Sequence, residues 1–154
     1  MLDGHKTPYP VGSTYAGVVS RDSTRIEFAY ANLNGLDCFA ADIRNTYFRT
    51  SSSKKEFIIC GVEFGLENVG GLAFIHRALY GGNKYGSDFR NHLISYMRHL
   101  DFASCLSDSD VWMRPAKKIN GTSYYEYIIL YTDDELVVIQ HSEENLRKDL
   151  GRYF

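Results

Sequence analysis

The chain predicts an α+β fold, an antiparallel sheet with helices packed on one face. Two segments carry apolar residues at helical spacing, and several shorter ones read as strands. Two successive strand-turn-strand patterns, one built on Asn120-Gly121 and one on Asp133-Asp134, call for antiparallel hairpins. The resulting order is helix, strand, strand pair, helix, strand hairpin, acidic hairpin, helix.

Taken in order, Ser20 caps a helix over residues 22–33, with Ile26, Ala29, Tyr30 and Leu33 on one stripe and Gly35 ending it. Residues 36–42 form a strand whose members Leu36, Cys38 and Ala40 share the face on which Asp42 emerges. A polar turn over 51–55 precedes a short strand at 57–60, and Gly61, Gly65, Gly70 and Gly71 punctuate a loop before a strand at 72–75. Phe89, Leu93, Tyr96, Met97 and Leu100 recur at three- and four-residue spacing, so a second helix runs from about Ser87 to Leu100. Strands follow at 111–114, 124–131 and 136–139, and Ser142 is placed to cap a last helix. Asn120-Gly121-Thr122 matches a glycosylation acceptor, but Asn-Gly between two strand-like runs is a hairpin turn.

With 154 residues and 44% hydrophobic content, the chain builds one core, and residues 1–154 are expected to form a single domain. A formal net charge of -2 is not that of a free-standing nucleic-acid binder, which needs clustered Lys and Arg. Cys38, Cys60 and Cys105 are odd in number and widely spaced, which fits a reducing compartment, and no spacing suggests zinc. No apolar run spans a bilayer, and the first ten residues carry an acid, two prolines and no apolar signal core. The expectation is a soluble protein that is not secreted and has no membrane partner.

Chemistry concentrates in two acidic stretches. Tyr131-Thr132-Asp133-Asp134 follows the apolar run Tyr127-Ile128-Ile129-Leu130 and precedes Leu136-Val137-Val138-Ile139, so adjacent acids sit at the centre of a strong hairpin pattern. Asp42 ends another strand. Buried, unpaired carboxylates there would cost several kcal/mol, so the turn needs a cation or solvent. Asp108 and Asp110 form a second acidic pair, read as a capping loop before a strand. His92 and His99 are two helical turns apart and cannot share a metal as an i, i+4 pair does.

At these residues the chain resembles the reverse transcriptase of copia-like retrotransposons. The resemblance rests on Asp42-Ile43-Arg44-Asn45-Thr46-Tyr47-Phe48, on Ala78-Leu79-Tyr80-Gly81 and on Tyr131-Thr132-Asp133-Asp134, in the family's order. Ser107-Asp108-Ser109-Asp110-Val111-Trp112 is similar to a further family segment, and Ser13-Thr14-Tyr15-Ala16-Gly17-Val18-Val19 to the approach to the first palm helix. The resemblance implies a palm-like sheet with part of the fingers, and no thumb or RNase H. It implies an RNA-directed DNA polymerase transferring a nucleotidyl group from a dNTP to a primer 3′-hydroxyl. Asp42, Asp133 and Asp134 would hold two Mg²⁺ ions, with Mn²⁺ as a substitute. Backbone amides from Ile43 to Tyr47, through Thr46, would hold the triphosphate, and Tyr47 would block a ribose 2′-hydroxyl. The same resemblance puts Lys54-Lys55 on the fingers side, within reach of template phosphate. Implied partners are an RNA or DNA template with its primer and the remainder of a polyprotein: fingers, thumb, RNase H and integrase. The implied location is a cytoplasmic virus-like particle or the nucleus.

The chain departs from the family at four places. Thr46 stands where Ala is usual, Glu135 where an apolar residue follows the Asp pair, and Asn83 and Ser87 where basic residues are usual. A glutamate after Asp133-Asp134 is expected to add a like charge beside the two carboxylates. Two other readings stay open: a decayed, non-catalytic remnant that keeps the fold, and a protein-interaction module built on the aromatic hairpin of Tyr124, Tyr125 and Tyr127.

Overall fold

The computed structural model describes residues 17–42, 50–78, 83–132 and 134–140. Helix α1 (Arg21–Asn34) leads into β1 (Asp37–Asp42). The β2–β3 hairpin (Ser51–Ile59 and Leu72–Arg77) follows, then helix α2 (Tyr85–His99), the short β4 (Ala103–Ser104), β5 (Val111–Lys117), β6 (Ser123–Tyr131) and β7 (Asp134–Ile139). One sheet has the order β1-β7-β6-β5-β4, and β2 and β3 form a separate two-stranded sheet. Every pairing is antiparallel, and the α+β class holds.

Local chemistry sets the ends of α1. The Ser20 hydroxyl accepts from the Ser23 amide at 3.1 Å, and Gly35 closes the helix at φ 59°, a left-handed position open to glycine. The buried stripe differs from the expected one. Glu27 and Ala31 turn inward, while Ile26 and Leu33 are exposed. Tyr30 sets this rotation, because its ring meets Tyr127 edge-on at 5.0 Å and its hydroxyl accepts from the Tyr125 amide at 3.0 Å.

The helices do not share one face of the sheet, a correction to the expected layering. Val138 and Tyr127 are cross-strand partners on the side that α1 covers. Their chain neighbours Val137 and Ile128 are also partners and lie on the other side, packed with Phe89, Leu93, Tyr96 and Met97 of α2. Adjacent strand residues point to opposite faces, so α1 and α2 sandwich the β6–β7 hairpin. That explains why Ile128, Ile129, Val137 and Val138 are all buried: the hairpin is covered on both sides.

Other differences concern edges. β2 begins at Ser51, so the residues read as a polar turn are strand, with a register shift between Ser51 and Glu56. β5 continues through Pro115 to Lys117 because β4 pairs only with Met113 and Trp112, leaving the outer edge at Pro115 without a ladder to break. Gly121 turns the β5–β6 hairpin at φ 85°, as the Asn-Gly signal requires. All three cysteines are free, with Cys60 buried and Cys38 exposed. Among the described residues no helix is long and apolar enough to cross a membrane. The helix expected after Ser142 lies outside the described residues.

Candidate functional site

The two acidic stretches come together through the β1–β7 ladder. β1 runs beside β7 in a register that pairs Asp37 with Ile139, Cys38 with Val138, Ala40 with Leu136 and Asp42 with Asp134. Directly opposed residues in an antiparallel pair have Cα atoms about 4.5–5.5 Å apart, so the strand positions of Asp42 and Asp134 are immediate neighbours. On its other side Asp134 pairs with Tyr131, which closes the β6–β7 ladder next to Thr132. Asp133, Ile43, Thr46 and Tyr47 lie outside the described residues.

Alternation assigns Asp134, Leu136 and Val138 of β7 to one face, with Tyr131, Ile129 and Tyr127 opposite them on β6. α1 covers this face at its Val138 end and leaves the Asp134 end open. Ala40, Tyr131 and Asp134 are exposed there and Leu136 is half-buried. Val18 bridges Tyr131, and the Val19 amide donates to the Leu130 carbonyl at 3.4 Å, which ties down the end of β6 beside the turn. The turn itself is strained: Thr132 has φ 60°, a conformation that a β-branched residue adopts rarely.

Glu135 takes no part in this open surface. It is 2% exposed, alternates to the α2 side with Leu130 as its β6 partner, and neither carboxylate oxygen has a hydrogen-bond partner among the described residues. Burial pushes its pKa up to about 7. The expectation that Glu135 adds its charge beside the acidic pair is therefore corrected for Asp134, since consecutive strand residues leave the sheet on opposite sides.

Asp108, Asp110 and Glu126 serve structure. Asp108 accepts from the Ser23 hydroxyl at 2.6 Å, the Ser20 amide at 3.0 Å and the Asp110 amide at 3.1 Å. Burial opposes the charge on Asp108, yet these hydrogen bonds hold its carboxyl below the usual range. Asp110, 2% exposed, forms an ion pair with Arg90 of α2. The pair is the capping loop expected from sequence, and it joins α1, α2 and the start of β5. Glu126 pairs with Arg114 at 2.6 Å and accepts from the Tyr124 hydroxyl at 2.9 Å. Of the hairpin aromatics, Tyr124 is buried and Tyr127 packs on Tyr30, which leaves Tyr125 as the exposed member. That weakens the aromatic hairpin as an interaction module.

No protein-family model, curated protein or solved structure matches the chain. The chemistry of the donors is the remaining guide to a ligand. Asp42 and Asp134 are carboxylate residues at neighbouring backbone positions, Asp133 adjoins Asp134 in sequence, and hard carboxylate oxygen suits Mg²⁺. Among the described residues no group of three or more His, Cys, Asp or Glu side chains is gathered to hold a metal. The inference thus rests on register and residue type. Sequence alone also missed two features of the site, the left-handed Thr132 and the inward turn of Glu135. The first has no signal in a threonine, and the second follows from strand alternation once β7 is known to start at Asp134.

Proposed function

We propose that the chain is palm region of an RNA-directed DNA polymerase of the copia-like retrotransposon type. Its reaction is nucleotidyl transfer from a dNTP to the 3′-hydroxyl of a primer on an RNA or DNA template. The observation that carries the reading is the pairing of Asp42 with Asp134, which joins two motifs far apart in sequence at one solvent-open strand end. A helix-bearing antiparallel sheet with this strand order is compatible with a palm.

In this reading Asp42, Asp133 and Asp134 hold Mg²⁺, or Mn²⁺ in its place. Bound there, the metal lowers the pKa of the primer hydroxyl and neutralises the triphosphate and the leaving pyrophosphate. The chain's own residues supply position. Asp134 and Asp42 fix carboxylate on two adjacent strands rather than on mobile loops. Amides from Ile43 to Tyr47 receive the phosphates, and Tyr47 excludes a ribose 2′-hydroxyl. The remainder of a polyprotein would position template and primer, since a net charge of -2 neutralises few phosphates.

A second reading, a non-catalytic remnant, is favoured by one observation: Glu135 is buried without a hydrogen-bond partner among the described residues, where an apolar side chain would cost nothing. Primer extension on an RNA template with Mg²⁺ or Mn²⁺ separates the two. Asp42-dependent DNA synthesis supports the polymerase. Absence of metal binding refutes the proposed site and leaves the remnant, which has no need of the metal.

A further inference from the structure

The β2–β3 hairpin is half-covered. Its inner side carries Ile58 and Ile75, which pack with Ala78 and Tyr85, and the Tyr85 hydroxyl donates to Glu56 at 2.5 Å. Its outer side is apolar and open. Phe57 pairs with Phe74 and Ile59 with Leu72, so these four side chains share that face, and they are 59%, 49%, 75% and 70% exposed. Val62 and Leu66, in two 3₁₀ turns at the hairpin tip, are 70% and 81% exposed. A two-stranded sheet with one solvated apolar face is poorly stabilised by itself and exposes backbone edges that favour pairing.

We propose that this face is an interface between two copies of the chain, joined by a two-fold axis with their hairpins antiparallel. Two observations select a second copy as the occupant. The first is area: Phe57, Ile59, Leu72 and Phe74 expose on the order of 500 Å² on one face, at the upper end of the roughly 300–600 Å² of the largest apolar patch on an ordinary monomer, and Val62 and Leu66 at the tip extend it toward the roughly 800 Å² per partner of a standard interface. The second is charge. His76 stacks on Phe74 of the outer face and exposed Lys55 precedes Glu56 near the hairpin base, while exposed Glu63 and Glu67 mark its tip. An antiparallel two-fold pairing brings the acidic tip of each hairpin to the basic base of the other, whereas a parallel one would set like charges together. The inference does not depend on the polymerase reading.

Sedimentation velocity of the full chain across the micromolar range tests it. The expected result is a two-chain species. Ile59→Lys and Leu72→Lys should each weaken it by at least about tenfold, with the far-UV spectrum unchanged because both side chains are exposed. Lys55→Glu should weaken the dimer, and adding Glu67→Lys should restore it. A single-chain species at every concentration overturns the proposal and means that another polypeptide, or none, covers the face. A dimer indifferent to Ile59→Lys and Leu72→Lys overturns it as well, and failure of the double charge swap overturns the antiparallel arrangement.

Discussion

Asp42 of β1 stands directly across the antiparallel ladder from Asp134 of β7, at the end of the sheet that α1 leaves uncovered. Two acids at neighbouring positions repel each other unless a cation or water separates them. The pairing therefore has a thermodynamic signature that can be read without any assay of synthesis.

Mg²⁺ or Mn²⁺ should raise the thermal midpoint of the chain, and Asp42→Asn or Asp134→Asn should remove that rise. A ligand at a hundredfold excess over its Kd stabilises the native state by about 2.7 kcal/mol. Without metal, each variant should melt at or slightly above the parent, because one like charge is gone. Calorimetric melts with and without metal provide the check, and an undiminished rise in both variants would contradict the site.

Glu135 and Glu126 are both buried on the α2 side of the sheet, yet substitution should act in opposite directions. Glu126 neutralises Arg114, whose guanidinium also donates to the Leu100 carbonyl at 3.0 Å and lies over the Phe102 ring. Glu126→Ala strands that charge and should cost about 2–4 kcal/mol. Glu135 neutralises no cation among the described residues, and Glu135→Leu should stabilise by about 1–3 kcal/mol above neutral pH. Urea denaturation of the two variants decides this, and a destabilising Glu135→Leu would mean that the carboxyl has a partner.

Thr132→Asn should stabilise the acidic hairpin by about 0.5–1 kcal/mol. Asparagine tolerates the left-handed region that the Thr132 backbone occupies at φ 60°, and the β-branched parent does not. Denaturation midpoints at constant slope test it. An unchanged or lower midpoint would show that the threonine side chain contributes more than the strain costs.

Glu27 should make stability depend on pH. Burial against the sheet pushes its pKa up to about 7, and one carboxylate oxygen has no partner. A raised carboxyl pKa means that the folded state binds the proton more tightly. Its contribution is complete below the unfolded value of about 4.3 and is lost as pH rises through the folded value of about 7. Glu27→Gln should remove a slope worth about 3 kcal/mol over that window. Melts from mildly acidic to mildly alkaline pH would show it, and identical profiles for parent and variant would refute it.

Much of the architecture was legible because it follows from local rules. Ser20 and Gly35 bound α1 through capping chemistry, Asn120-Gly121 turns a hairpin because only small or permissive residues accept that backbone, and α2 follows from Phe89, Leu93, Tyr96 and Met97 at helical spacing. The buried stripe of α1 was not legible. Glu27 faces inward because Tyr30 docks on Tyr127, a contact between segments far apart in the chain.

For the candidate site, sequence alone determined that Asp42 and Asp134 bring carboxylate to strand ends. Tertiary structure alone decided that β1 lies beside β7 in the register that sets Asp42 against Asp134, that α1 and α2 take opposite faces, and that Glu135 turns inward. The physical reason is that residue type and short-range spacing govern capping, turns and strand ends. Strand partners and covered faces are set by burial summed over the whole core, and a slip of one residue would carry every side chain of β7 to the other side.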